Sequence, residues 1–153
     1  MDRQFEPLRD IEGAHRLTDA DGPWPSFHDA EVYTVNIWSG DVRPDDDVWV
    51  GPRIDTALGI LGPRGEMLFA IVRLRFKDCE GIAMTGTGLG CPSIDDLTFR
   101  FEPRGYLRDG VTPLSPYIHV TFSAGSDRAA LLAFRCFTVE ALARDVPGGP
   151  PYR

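Results

Sequence analysis

A chain of 153 residues with 42% hydrophobic and 25% charged side chains has the size and composition of one folded domain, outside the disordered class. Its formal charge of −7 and its pI near 4.9 repel nucleic-acid phosphates and anionic membrane surfaces. Nucleic acid and membrane are therefore not expected partners, whereas a basic protein is attracted by the same field.

The first twenty residues are rich in charge and are bounded by Asp21-Gly22-Pro23. Their spacing predicts one short helix that turns Leu8 and Ile11 inward, with Leu17 as a further candidate. From Glu31 the pattern has period two: Tyr33, Val35 and Ile37 share one side, and Thr34, Asn36 and Trp38 the other, which predicts a strand. A polar turn over 39–47 follows. The segment 53–61 then alternates with Ile54, Thr56, Leu58 and Ile60 on a common face.

The turn GPRGE and the run MLFAIVRLRF, residues 67–76, complete a hairpin with that strand. Leu68, Ala70, Val72, Leu74 and Phe76 share one face of the second strand, and Met67, Phe69 and Ile71 make the other face apolar as well. Such a face is covered by a second sheet or by a homodimer partner, so the monomer and the homodimer both stay open.

Further strands are expected at 82–85, at 94–102 with Leu97, Phe99 and Phe101 inward, at 117–123, and as one run over 129–142. The expected fold is mostly β: a single domain built on an antiparallel sheet, arranged as a sandwich or partly closed barrel, with at most one short N-terminal helix. Within 1–153, residues 1–20 form an N-terminal segment, 24–142 the β core and 146–153, VPGGPPYR, a loose tail. Neither the charged N-terminus nor any later apolar run reads as a signal peptide or as a span of ~20 residues. The odd count of cysteines, Cys79, Cys91 and Cys136, without a CxxC pair fits reduced thiols in the cytoplasm better than a disulfide framework or a structural zinc site.

The most chemistry-like stretch is WPSFHDAEV, residues 24–32. A hydrolytic reading makes His28 and Asp29 metal ligands and Glu31 a general base, with His119 as a remote partner. In a strand, however, His28 and Asp29 point to opposite faces unless the backbone turns between them. The plainer reading has Trp24 and Phe27 filling core while His28 and Asp29 satisfy backbone groups where a turn leads into the first strand. The run GTGLG, residues 86–90, lacks the Gly-Lys-Ser/Thr and the following helix of a phosphate loop and reads as a strand connection. Cys136 with His119 as base would make a nucleophile, but its apolar neighbours read as core. No serine stands in a GxSxG elbow. A third possibility is a small-molecule-binding barrel lined by Trp24, Phe69 and Phe99. The acidic run Asp45, Asp46 and Asp47 lacks the spacing of a calcium loop. Its functional reading is a contact surface for a basic protein, with Trp49 and Trp38 as aromatic anchors.

WPSFHDAEV resembles the hallmark block of the bacterial immunity protein 50 family, and the later runs LRF (74–76), DDLTFRF (95–101) and LAFRCFTVEAL (132–142) extend the likeness across most of the chain from Pro23 to Leu142. Only the first block is distinctive, since the others are amphipathic strands of a general kind. The resemblance implies an antidote that binds and neutralises a cognate polymorphic toxin of bacterial competition, without catalysis and without a cofactor. A basic toxin is the best electrostatic match to this chain.

Overall fold

The computed structural model describes residues 3–18, 23–43, 48–62, 70–84, 93–124 and 129–146; of residues 41–43, 48–50, 124, 129 and 130 the backbone alone is described. After a single helical turn, α1 (Pro7–Asp10), and a 3₁₀ turn (Ala14–Leu17), every regular element among the described residues is β. The strands are β1 (Glu31–Trp38), β2 (Asp41–Arg43), β3 (Val48–Val50), β4 (Arg53–Ile60), β5 (Ala70–Lys77), β6 (Glu80–Met84), β7 (Asp96–Glu102), β8 (Tyr117–Ala124), β9 (Ala129–Cys136) and β10 (Thr138–Asp145). They build two four-stranded antiparallel sheets, ordered β1-β4-β5-β10 and β6-β9-β8-β7, and the small β2-β3 hairpin.

Period-two alternation explains the core. Ile54, Thr56, Leu58 and Ile60 of β4 and Ala70, Val72, Leu74 and Phe76 of β5 are all buried, facing Ile118, Val120 and Phe122 of β8 and Leu132, Phe134 and Cys136 of β9. At the centre Phe76 meets Phe134 edge-on, with ring centroids 4.9 Å apart, and Phe122 at 6.1 Å. Thr56 is the one buried polar residue among the described residues, and its hydroxyl donates to the Leu74 carbonyl at 3.4 Å.

The run 129–142 is not one strand. It is two, β9 and β10, which belong to different sheets and are separated by Phe137 alone. β5 and β6 change sheets at the same level, through Asp78 and Cys79. A two-stranded ribbon is thus folded over: Thr138 pairs Lys77 on one side of the bend and Glu80 pairs Arg135 on the other. The Phe137 N–H donates to the Lys77 carbonyl (3.1 Å), and the Cys79 N–H donates to the Pro52 carbonyl (2.8 Å). Asp78 takes φ +57, a left-handed value that short polar side chains tolerate.

Four other expectations change. Leu8 is exposed, because α1 spans only four residues and its buried neighbours are Phe5, Ile11, Ala14 and Leu17. Tyr33 does not share a face with Val35 and Ile37, since a bulge between Val32 and Thr34 shifts the phase and puts Val32 inward opposite Leu58. The polar turn over 39–47 contains β2 and leads into β3. The expected strand at 82–85 begins earlier, at Glu80. The stretch 67–69 at the start of the long hairpin strand and most of the tail fall outside the described residues.

The N-terminal segment is a structural member. The Glu12 N–H donates to the Val139 carbonyl (2.9 Å) and the Glu12 carbonyl accepts from the Ala141 N–H (2.8 Å), so it continues the first sheet beyond β10. Phe5 stacks on Phe99 of β7, centroids 5.0 Å apart, in the second sheet. The segment therefore seals one side of the sandwich.

Gly51, beside the bend, has no room for a side chain: a Cβ there would run into the Asp78 carboxylate and lie 3.3 Å from the Asp78 Cα. Gly51→Ala is expected to cost about 1–3 kcal/mol in urea unfolding, with the denaturant slope unchanged.

Candidate functional site

The block WPSFHDAEV folds as a tight turn followed by β1. The Ala30 N–H donates to the Phe27 carbonyl at 3.0 Å, and Asp29 sits at φ +60. This turn lets His28 and Asp29 lie on the same side, as a strand would not. Phe27 and Ala30 go into the core, and Trp24 packs against Phe27 at 5.9 Å.

His28 remains solvent-exposed and bridges two parts of the chain. Its Nδ1–H donates to the Asp95 carbonyl at 3.0 Å, Asp95 Oδ1 lies 3.5 Å from the same nitrogen, and Nε2 faces the Asp29 carboxylate at 3.5 Å. Both ring nitrogens therefore look at acceptors, an arrangement that suits the doubly protonated ring. The Asp95 carbonyl first, and then the Asp29 carboxylate, raise the His28 pKa above its ordinary value. Close by, the Ile94 N–H donates to the Ala30 carbonyl (2.8 Å) and Glu31 bridges Ser93. These contacts clasp β1, at the edge of one sheet, to the lead-in of β7, at the edge of the other.

His119 belongs elsewhere. The Asp95 N–H bonds the Ser123 carbonyl, which places the clasp at one end of β8, four residues or ~13 Å along the strand from His119. His119 faces outward between its register partners Arg100 and Arg135, and desolvation followed by the Arg100 charge lowers its pKa. His28, Asp29, Glu31 and His119 thus do not converge. Among the described residues no three His, Cys, Asp or Glu side chains gather as a metal-ligand set.

Cys136 pairs Ile118 rather than His119 in the ladder, and alternation then sends the thiol to the core and the imidazole to the opposite face. Burial pushes the Cys136 thiol up, and it pushes the Cys79 thiol to about 12. Neither is a thiolate at neutral pH. Trp24 and Phe99 pack against the core, and Phe69 falls outside the described residues.

Of the residues assigned to a protein contact, Trp38 is 37% exposed at the end of β1 with the Arg53 guanidinium stacked 5.1 Å from its ring. Ile37 beside it is 47% exposed. Asp45, Asp46 and Asp47, the side chain of Trp49, Cys91 and GTGLG lie outside the described residues. The outer face of the first sheet carries ion pairs instead, including a two-point contact of Arg75 with Asp55 (2.8 and 3.2 Å) and Lys77 with Glu140 (3.2 Å).

A further exposed feature has no counterpart in the sequence reading. The connection between β7 and β8 holds Tyr106, Leu107 and Val111 in solvent, in a segment whose backbone is closed by its own bridge from Tyr106 to Pro113. Asp109-Gly110 signals a turn there, but apolar residues around a turn read by default as the ends of buried strands.

No family model matches the chain, and neither does any curated protein or solved structure.

Two measurements test the clasp. Imidazole NMR titration should place His28 above and His119 below the ordinary value of about 6.5. A raised folded pKa gives stability that is complete below the unfolded value and lost as pH rises through the folded one, so His28→Gln should lower Tm more at pH 5.5 than at pH 8. Equal losses at both would detach the imidazole charge from stability. At the left-handed position, Asp29→Gly should be close to neutral in thermal unfolding and Asp29→Val should cost about 1–3 kcal/mol.

Proposed function

We propose that this chain is a cytoplasmic binding protein that neutralises a basic protein toxin by covering it, with no turnover of its own. The observation that carries this reading is the exposed pair Ile37 and Trp38 at the end of an edge strand, in a chain of net charge −7 and just before Asp45-Asp46-Asp47. An aromatic anchor followed in sequence by an acidic run is the composition of a hot spot with an electrostatic guide: the ring supplies contact area, and the charge speeds association and selects a basic partner. The resemblance of WPSFHDAEV to an immunity-protein hallmark points the same way, and the use of His28 as a clasp gives that block a structural reason to be present.

The resemblance implies an antidote encoded next to its toxin, so the decisive experiment is a titration against the C-terminal domain of the large protein that would be encoded immediately upstream, with growth scored in cells making that domain with and without this chain. Tight one-to-one binding with rescue is expected. Trp38→Ala should weaken affinity by at least ~10-fold, and the triple change Asp45→Asn, Asp46→Asn and Asp47→Asn should slow association most at low salt. Absence of both binding and rescue would remove this reading.

A further inference from the structure

We propose that the loop joining β7 and β8 is a preformed plug, which inserts Tyr106, Leu107, Arg108 and Val111 into a concave, carboxylate-bearing cleft of the protein that this chain binds. The inference rests on the binding reading above and adds where contact is made and with what chemistry.

Tyr106 is 64%, Leu107 49% and Val111 77% exposed, three large apolar side chains within six residues. Solvent exposure of that kind in a loose loop would be unremarked, but this loop is tied at every level. The Leu107 N–H donates to the Thr112 carbonyl (2.8 Å), the Leu114 N–H to the Gly105 carbonyl (2.9 Å) and the Gly110 N–H to the Leu107 carbonyl (2.9 Å). The Asp109 carboxylate accepts from the Val111 and Thr112 N–H groups (2.9 and 2.8 Å) and from the Thr112 hydroxyl. Those bonds hold the Asp109 carboxyl below its usual range, the Thr112 hydroxyl contributing most.

Gly105 and Gly110 take φ +99 and +70 with open space where a Cβ would stand, so glycine serves the backbone path there and not packing. At the base, the Arg104 guanidinium lies over Phe137 (4.7 Å) and Tyr117 (5.1 Å) and donates to the Ser115 carbonyl (3.2 Å). The loop is thereby anchored to the folded-over ribbon.

A loop ordered before contact has already lost the entropy that binding would otherwise remove, and a rigid aromatic tip is what such a contact uses. Every residue from 103 to 113 is exposed, so the tip stands clear of the core and the occupant that would cover it on several sides is a cleft. Its charge specifies the lining. Asp109 is engaged in the turn and Arg104 at the base, while Arg108 is exposed and makes no ion pair with any described residue. Desolvated in a cleft, a guanidinium requires an anionic partner, and a carboxylate matches its two-point geometry. An acidic body that attracts a basic surface and a cationic tip that seeks a carboxylate together fit an enzyme whose catalytic acids sit within a basic rim.

The test uses the full chain and the same upstream-encoded domain. Tyr106→Ser, Leu107→Ser and Val111→Ser combined should weaken binding by more than ~100-fold at unchanged Tm, since none of the three is buried. Arg108→Glu should weaken it by more than ~10-fold, and the loss should deepen at low salt. This single surface change also decides the matter if the triple variant unfolds. Loop variants within ~3-fold of wild type, with Trp38→Ala defective, would overturn the plug and leave the binding reading standing. Failure of the wild-type chain to bind would bring down both.

Discussion

The structure depends on one bend. At the level of Asp78 and Phe137 two neighbouring antiparallel strands leave one sheet and become neighbours in the other, and the single core exists because they turn together. A bend in only one of them would strand the ladder groups of its partner in an apolar interior, at the cost of unsatisfied buried N–H and C=O groups. Bending in step needs only the bond from the Phe137 N–H to the Lys77 carbonyl and that from the Cys79 N–H to the Pro52 carbonyl. Phe76 and Phe134 then meet edge-on inside the angle, while Phe137 on the outside receives Arg104.

The rest of the architecture closes what the bend leaves open. The outer strands of the two sheets, β10 and β7, are spanned by the N-terminal segment, and β1 and β7 are joined by the turn that carries His28. The four central residues of the distinctive sequence block are thereby accounted for: Phe27 and Ala30 are core, Asp29 supplies the left-handed corner, and His28 reaches the opposite sheet. The large charged fraction sits outside, where paired side chains line the first sheet.

Local pattern made the strands legible and their company illegible. Alternation at Ile54, Thr56, Leu58 and Ile60 marks a half-buried strand wherever it occurs, because period two is a property of the backbone itself. The change of sheet at Phe137 leaves no such mark: Cys136-Phe137-Thr138 contains neither glycine nor proline, and the residues on both sides keep strand propensity. The bulge at Tyr33 was hidden for the same reason, since an extra residue shifts the phase without changing composition. His28 was legible as a turn residue, but its partner Asp95 is 67 residues away, and no spacing rule connects them. Tyr106, Leu107 and Val111 are the opposite case. Their hydrophobicity is plain in the sequence, yet whether they face a core or water is decided by the loop geometry that Asp109 and Arg104 impose.

The contact of Glu12 with Val139 and Ala141 also sets the order in which the molecule can be completed. These partners lie more than 120 residues apart, so the segment around Glu12 waits, during synthesis, for β10 to emerge. A nascent chain stopped before β10 has Glu12 without its ladder partners, the turn Ala14–Leu17 without the strand it packs on, and β5 with an unpaired edge. Interrupted translation products therefore carry an unseated apolar segment and an open template strand, which are features by which chaperones and proteases recognise unfinished chains.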